Sequence, residues 1–221
     1  MKSFRKFILE NSSVPYGRLQ PHHDSKIDPN DKIISSLRKS GVLSTFENMK
    51  PPSDEHGLKE IEHLKSRMEN ISDEDYQFAV NAETDEQGMY RKFAKSIGLN
   101  LPTHYVDKIL DQTDPVLFHL KKHHNRGRPE QFAAANNIPY QPSITHTAAH
   151  PAYPSGHAFD SHIMEYILTK LKPEAAGEIS DFTRRMRESR LNAGLHYPSD
   201  NDISEKLAKA IIKTGLIDET I

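Results

Sequence analysis

The first residues that could do chemistry lie in a short basic segment, which begins at Lys121 and ends at Arg128. Cationic side chains bind phosphate oxygens, and the planar guanidinium of arginine matches phosphate geometry with two parallel hydrogen bonds. Such a segment also fits a solvated helix end or a nucleic-acid contact. His123 and His124 within it are adjacent, so they point in different directions and make poor joint metal ligands. Taken alone, the segment is best explained as a solvated helix end.

A second segment, Pro154-Ser155-Gly156-His157, stands directly before a helical pattern of apolar residues. The first turn of a helix has free backbone N–H groups and a positive partial charge, and both favour a bound anion. Ser155 and the N–H of Gly156 could therefore form an anion cradle, although the segment by itself also fits an ordinary N-cap. The Gly-x-Ser-x-Gly frame of a serine-hydrolase nucleophile is missing.

A third segment places Arg190 before a histidine–carboxylate pair, His196 and Asp200. Pro198 is tolerated in the first turn of a helix, so His196 would precede that helix and Asp200 would lie in its opening turn. The carboxylate would then reach the imidazole and leave its other nitrogen as a nucleophile or base. A single pair of this kind is often structural, and it gains its meaning from the other two segments.

Together the three segments resemble the signature of the type 2 phosphatidic acid phosphatase superfamily, whose relatives include bacterial class A acid phosphatases and vanadium-dependent haloperoxidases. That signature reads K-x6-R-P, then P-S-G-H, then S-R-x5-H-x3-D. The matching residues, in the same order and spacing, are Lys121, Arg128, Pro129, Pro154, Ser155, Gly156, His157, Ser189, Arg190, His196 and Asp200. The resemblance covers residues 115–215 and does not extend to the N-terminal half.

The resemblance implies a metal-independent phosphatase that hydrolyses phosphomonoesters or diphosphates through a phosphohistidine. It implies that His196 is the nucleophile, that Asp200 orients it, and that His157 is the general acid and base. The implied phosphate-binding groups are Lys121, Arg128, Ser155, Gly156 and Arg190. No metal and no cofactor are expected.

Three other functions remain open from the sequence. In a vanadium-dependent haloperoxidase, vanadate would occupy the same anion pocket as a cofactor and His196 would ligate vanadium. A non-catalytic phosphate- or nucleic-acid-binding helical domain is a more remote alternative. A zinc enzyme is not favoured, because His146 and His150 lie among prolines and Thr147 stands where the His-Glu-x-x-His motif has glutamate. These two histidines are instead expected to line or rim the pocket.

Composition limits the partners and the compartment. The chain of 221 residues has a net charge of -2, which gives no general attraction to nucleic acid or anionic lipid. It has no cysteine, which excludes disulfides and thiolate chemistry. Near the N-terminus, Glu10 interrupts an apolar run far shorter than the roughly 7–15 residues of a signal peptide core. We therefore expect a cytoplasmic protein without a membrane span, acting on a small phosphorylated substrate. The lack of membrane helices favours soluble phosphomonoesters or diphosphates over a lipid phosphate. The sequence does not predict an oligomeric state.

Periodicity predicts an all-α, single-domain helical bundle, with the active site between core helices. Residues 1–52 are expected to form an irregular, proline-rich extension that packs on a helical phosphatase domain of residues 53–221. Within the extension, one short helix is predicted from Asp31 to Lys39. The stripe of Leu58, Ile61, Leu64 and Met68 predicts a helix beginning after Ser53.

Capping residues and prolines predict where the remaining helices begin. The expected starts are Ser72, Thr84, Pro102 and the N-cap pair Asp114-Pro115. Beyond the basic segment, helices are expected over residues 130–135, 154–171, 173–193 and 198–214.

Overall fold

Helices form all the regular structure in the part of the chain that this computed structural model describes, residues 31–144 and 150–218. In chain order they are α1 (Lys32–Lys39), α2 (Val42–Glu47), α3 (Asp54–Glu69), α4 (Asp73–Thr84), α5 (Glu86–Ser96), α6 (Tyr105–His124), α7 (Pro129–Ala135), α8 (Gly156–Leu171), α9 (Ala176–Asn192) and α10 (Pro198–Lys213), with a 3-10 turn at Pro173–Ala175. The described residues contain no strand, which confirms the all-α, single-domain prediction.

The helix that follows the Ser-Gly segment is the centre of the bundle. α8 packs most extensively against α9 and α10. Phe159, Ile163 and Ile167 on α8 are completely buried, and burial of each such side chain is worth about 1.5–3 kcal/mol. Because these three helices begin or end with the signature residues, their packing brings distant parts of the sequence to one end of the bundle.

The extension of the sequence contributes to this core. α1 begins after Asp31, whose carboxylate accepts from the N–H of Ile33, and it agrees with the predicted helix. Gly41 has a φ of 75° and reverses the chain into α2, a six-residue helix too short for its periodicity to be recognised in the sequence. Leu37 and Phe46 of the two helices are buried in the main hydrophobic core. Residues 1–30 lie outside the described part of the chain.

The prediction that Asp114-Pro115 starts a helix is wrong, because α6 continues through both residues from Tyr105 to His124. An internal proline removes one backbone hydrogen bond and costs about 3 kcal/mol or more. One face of α6 nevertheless stays buried on both sides of the proline, with Ile109 before it and Leu120 after it. The buried face outweighs the missing hydrogen bond, and it carries Lys121 to the site.

Two smaller predictions also differ from the structure. α5 begins one residue later than expected, because Asp85 rather than Thr84 caps it by accepting a hydrogen bond from the N–H of Gly88 (3.0 Å). Leu58 was expected in the buried stripe of α3 but is 38% exposed. The ring of Phe132 packs against Gly57 instead, which turns Leu58 away from the core.

The helices that carry the signature lie close to their predicted bounds, and Pro129, Ser155 and Pro198 stand at the starts of α7, α8 and α10 as expected. No helix in residues 31–144 and 150–218 is long and apolar enough to cross a membrane.

Candidate active site

His196 lies at the centre of the site, and the turn before α10 fixes its position. Oδ2 of Asp200 accepts hydrogen bonds from the backbone N–H of Tyr197 (3.0 Å) and from Nδ1 of His196 (3.0 Å). One carboxylate oxygen therefore caps the helix and orients the imidazole. Both side chains are buried, so the pair is held in a single geometry.

The other imidazole nitrogen faces Arg128, the residue directly before α7. Nη1 of Arg128 lies 2.7 Å from Nε2 of His196 and also donates to the carbonyl of Leu195 (3.0 Å). Because a guanidinium can only donate, Nε2 must be the accepting, unprotonated nitrogen. The histidine thus presents a lone pair toward the cavity side of the site.

A second arginine, Arg126, pairs with the other carboxylate oxygen of Asp200. Nη1 of Arg126 donates to Oδ1 of Asp200 (2.7 Å), and its Nη2 donates to Glu60 on α3 (2.8 Å). The guanidinium also lies 3.7 Å from the ring centre of Tyr197. Arg126 lies within the basic segment, and the sequence predicts no role for it. The contact could not be predicted from the sequence, because Glu60 is distant from Arg126 along the chain and only the fold brings them together.

Lys121, near the end of α6, is buried and makes mainly structural contacts. Its Nζ donates to the backbone carbonyls of Pro151 (2.9 Å) and Pro154 (2.5 Å). These hydrogen bonds tie the loop before α8 to α6. Lys121 also lines the cavity. Burial and the neighbouring Arg128 lower the pKa of its ammonium group, and an anion bound in the cavity would favour the charged form.

The first residues of α8, Gly156 and His157, line the cavity. Oγ of Ser155 accepts from the N–H of Ala158 (3.4 Å) as an N-cap, and Ser155 does not itself line the cavity. Gly156 does line it, and an added Cβ there would lie 3.3 Å from a methyl group of Leu117. His157 follows, with its Nε2 3.1 Å from the carbonyl oxygen of Ala82.

Arg190, in the last turn of α9, completes the cationic set. Its Nη1 forms an ion pair with Oε2 of Glu83 on α4. Its Nε is buried and has no hydrogen-bond partner within residues 31–144 and 150–218. A buried donor left without a partner is unfavourable by about 1–3 kcal/mol, so this N–H is suited to an additional acceptor.

These groups converge on one cavity of about 540 Å³. Six of the eight predicted site residues line it, and Asp200 and Ser155 lie behind them; the six are Lys121, Arg128, Gly156, His157, Arg190 and His196. Four acidic side chains that were not predicted also line the cavity. They are Glu83, Glu86, Asp114 and Asp160, which come mainly from the helices before the signature and carry no motif.

Around the two histidines, the neighbouring cationic side chains favour a bound anion. Burial and the neighbouring Arg128 hold the pKa of His196 well below its usual value, and burial and Arg190 do the same for the pKa of His157. Burial, together with Arg190, also lowers the pKa of Arg128 to about 10, which still leaves it charged at neutral pH. Arg190 has Glu83 as a partner, yet it still lowers the pKa values of Arg128 and His196, and a phosphate bound among these groups would relieve that repulsion.

The histidines weighed as zinc ligands have other surroundings. His150 lies against Arg128, whose Nη2 is 3.1 Å from Nδ1 of the imidazole, and it lines the cavity as expected. His146 lies outside the described residues. Across the described ranges, no three His, Asp or Glu side chains form a group suited to a metal ion.

Comparison with known proteins finds a similar fold among solved structures. No family model and no curated protein matches the sequence. Among solved structures, the chain is similar to a crystal structure described as the first bacterial vanadium-dependent iodoperoxidase, with a TM-score of 0.59 and 16% identity. The similarity covers 81% of this chain and 53% of that one, so this chain spans about half of the iodoperoxidase. At this identity the likeness concerns the fold.

The turn that leads to His196 gives a prediction about stability. Gly194 has a φ of 72°, and a Cβ on it would lie 2.4 Å from Sδ of Met68 and 2.6 Å from Oη of Tyr140. Gly194→Ala is therefore expected to lower the free energy of unfolding by about 1–3 kcal/mol, through left-handed strain and overpacking. Urea denaturation measures this change. Gly177→Ala is the control, because that glycine is helical with open space around it, and this change should be neutral or stabilising.

Proposed function

We propose that this protein is a metal-independent phosphatase that works through a phosphohistidine on His196. The observation that carries the proposal is the state of that imidazole. Its Nδ1 is held by Asp200, its Nε2 carries a lone pair, and it lies among Lys121, Arg128 and Arg190 in one cavity. An oriented, unprotonated nitrogen beside an anion site is the arrangement that in-line attack on phosphorus requires.

The two arginines would bind the transferred phosphoryl group directly. Arg128 would exchange its contact with Nε2 of His196 for a phosphate oxygen, and Nε of Arg190 would gain the acceptor it lacks. Lys121 would contribute mainly through its charge, because backbone carbonyls occupy its donors. Gly156 would offer its N–H, and Ser155 would hold the start of α8.

The reaction then has two steps. Nε2 of His196 forms a bond to phosphorus as the bond to the leaving oxygen breaks. His157, whose protonated form the negative charge of the bound substrate would favour, gives that oxygen a proton. A water molecule next attacks the phosphohistidine, His157 takes the proton of the water, and phosphate leaves with Nε2 free again. Positioning and charge stabilisation carry most of the rate in such a transfer. The substrate we propose is a small phosphomonoester or diphosphate.

The similarity to an iodoperoxidase fold supports a second candidate, a vanadium-dependent haloperoxidase. The donor set fits vanadate: His196 would ligate vanadium, and Arg128, Arg190 and Lys121 would hold its oxygens. When bound, vanadate would supply the oxidation of halide by peroxide. His157 would then hold or move a proton beside the bound oxygens. Iodide oxidation by peroxide after loading with vanadate, and absent without it, would favour this candidate.

The test of the phosphatase is a phosphate-release screen over nucleotides, sugar phosphates, diphosphates and short-chain phosphate esters. We expect release from at least one class, unchanged by EDTA because none of the proposed groups needs a metal. Vanadate should inhibit competitively, because it resembles the phosphoryl group during its transfer. Loss of activity in EDTA that added Mg²⁺ or Zn²⁺ restores would contradict the mechanism.

A further inference from the structure

A buried arginine and a buried glutamate connect α3 to the carboxylate that orients His196. Nη1 of Arg126 donates to Oδ1 of Asp200 (2.7 Å), and its Nη2 donates to Oε2 of Glu60 (2.8 Å). The side chain of Arg126 is only 10% exposed, and those of Glu60 and Asp200 are 5% and 0% exposed. Neither Arg126 nor Glu60 lines the cavity proposed to bind the phosphoryl group. Any effect of this pair on the reaction must therefore pass through Asp200.

Glu60 holds the two groups that meet at the start of α10. Its Oε2 accepts from Arg126, and its Oε1 accepts from the backbone N–H of Ser199 in the first turn of that helix (2.7 Å). Arg126 also donates to Oγ of Ser199 (2.7 Å) and lies over the ring of Tyr197. Because the planar guanidinium is held on several sides, its hydrogen bond to Asp200 has a fixed direction.

The carboxylate of Asp200 accepts hydrogen bonds from three N–H groups. Oδ2 accepts from His196 and Tyr197, and Oδ1 accepts from Arg126. Burial raises the pKa of Asp200, and the largest opposing effect is that of Arg126. The titratable and charged groups that face Asp200 are Lys121, Arg126, Arg128, Tyr153, His196 and Tyr197. Arg126 is the cation among them that donates directly to the carboxylate.

The charge and direction of Asp200 determine which nitrogen of His196 carries the proton. A carboxylate accepts from Nδ1–H and leaves the lone pair on Nε2, whereas a carboxylic acid can donate to Nδ1. In the second case the imidazole proton stands on Nε2, which then has no lone pair with which to attack phosphorus. The nucleophile would be lost without any change in the residues that line the cavity.

We propose that Arg126 and Glu60 are positioning residues. Arg126, held by Glu60, keeps Asp200 as the charged acceptor that fixes the proton of His196 on Nδ1. This inference rests on the proposed phosphatase function, because its effect on the reaction requires His196 to be the nucleophile. Glu60 lies on α3, outside the region that resembles the phosphatase signature. A helix from the N-terminal half of the chain thus contributes to catalysis without contacting the substrate.

The kinetic test replaces Arg126 by methionine, which removes the hydrogen-bond donors and keeps most of the side-chain length. With para-nitrophenyl phosphate, kcat should fall by about 10–100-fold, the range for groups that orient a ligand histidine in metal sites. The inhibition constant of inorganic phosphate should stay within a few-fold, because Arg126 does not line the cavity. The acidic limb of the kcat/KM profile should move to higher pH, since Asp200 would take up a proton more readily. Arg126→Lys keeps the charge and should retain more activity.

The tautomer of His196 gives a measurement that needs no turnover. Nitrogen NMR shifts distinguish a protonated from an unprotonated ring nitrogen. Nε2 of His196 should be unprotonated in the wild-type protein, and in Arg126→Met it should gain a proton. Arg67→Met is the matched control, because Arg67 joins α3 to Asn192 on α9 through two hydrogen bonds (2.9 and 2.7 Å) and lies away from the cavity. This control should change neither the tautomer nor the acidic limb.

A folded Arg126→Met protein with the acidic limb and the tautomer of the wild type would overturn the proposal, whatever its loss of activity. If that variant does not fold, Glu60→Gln decides, because a single amide oxygen cannot replace both carboxylate oxygens. Glu60→Gln should show the same two shifts at smaller size, and wild-type behaviour would overturn the role of the pair. Failure of the wild-type protein to release phosphate would contradict the phosphatase instead, and the NMR shifts would still test whether Arg126 sets the tautomer.

Discussion

Replacing His196 by alanine is expected to eliminate phosphate release, with a loss on the order of 10⁶-fold, as for removal of other covalent nucleophiles. The reason is that Nε2 of His196 would form the bond to phosphorus, and the cationic groups around it can only position the substrate. The same change should abolish labelling of the protein when a substrate with a radioactive phosphoryl group is quenched rapidly. A phosphohistidine has an acid-labile N–P bond, so the label is sought after an alkaline quench.

The fold should survive this replacement. Asp200 would keep its hydrogen bonds from Arg126 and from the N–H of Tyr197, so no buried carboxylate is left without partners. His63→Ala serves as the control, because His63 is exposed on α3 and does not line the cavity, and it should leave activity within about twofold, as surface changes usually do. Near-normal turnover in a folded His196→Ala protein would remove this residue as the nucleophile.

The sequence predicted the helix starts around the site and the contact between His196 and Asp200, because these signals are local. Proline at the first turn, a serine cap and the four-residue spacing of His196 and Asp200 each determine a helix start or a contact within one turn. The structure has the three corresponding helix starts at Pro129, Ser155 and Pro198. Helical periodicity likewise predicted the all-α class, which the described residues confirm.

The sequence could not predict which distant groups complete the cavity. Glu83 and Glu86 stand on helices that resemble any exposed acidic segment, and only packing turns them toward Arg190 and His157. The same limit explains Pro115, where a buried helix face overrides a local rule that usually ends a helix. Packing against a segment far along the chain cannot be recognised from the local sequence pattern.

Replacing Arg190 by alanine is expected to weaken transition-state stabilisation on the order of 3–4 kcal/mol, comparable to the loss of one oxyanion donor. Arg190 would bind the phosphoryl oxygens from the end of α9, and its Nε is the buried donor without a partner. Its loss also leaves Glu83 in the cavity without its cation, which adds repulsion against an incoming phosphate. Arg190→Ala should lower kcat as well as raise KM, because the negative charge that Arg190 stabilises on the phosphoryl oxygens grows during transfer.

The pH profile provides a second measurement of the same variant. Arg190 lowers the pKa values of His157 and His196, so its removal should raise both. His196 must be unprotonated to attack, and therefore the acidic limb of the kcat/KM profile should move to higher pH. A merely structural defect would reduce the amount of active enzyme without moving that limb.

Arg187→Ala is the matched control for Arg190→Ala. Arg187 lies three residues earlier on α9, is paired with Glu165 at 2.7 Å, and does not line the cavity. It has the same residue type, helix and kind of ion pair, so a difference between the variants isolates the contact with phosphate. Glu83→Gln combined with Arg190→Ala should recover only the part of the loss that repulsion causes. A fall of less than about tenfold in the single variant, far below a lost donor's usual effect, would mean that Arg190 does not bind the phosphoryl group.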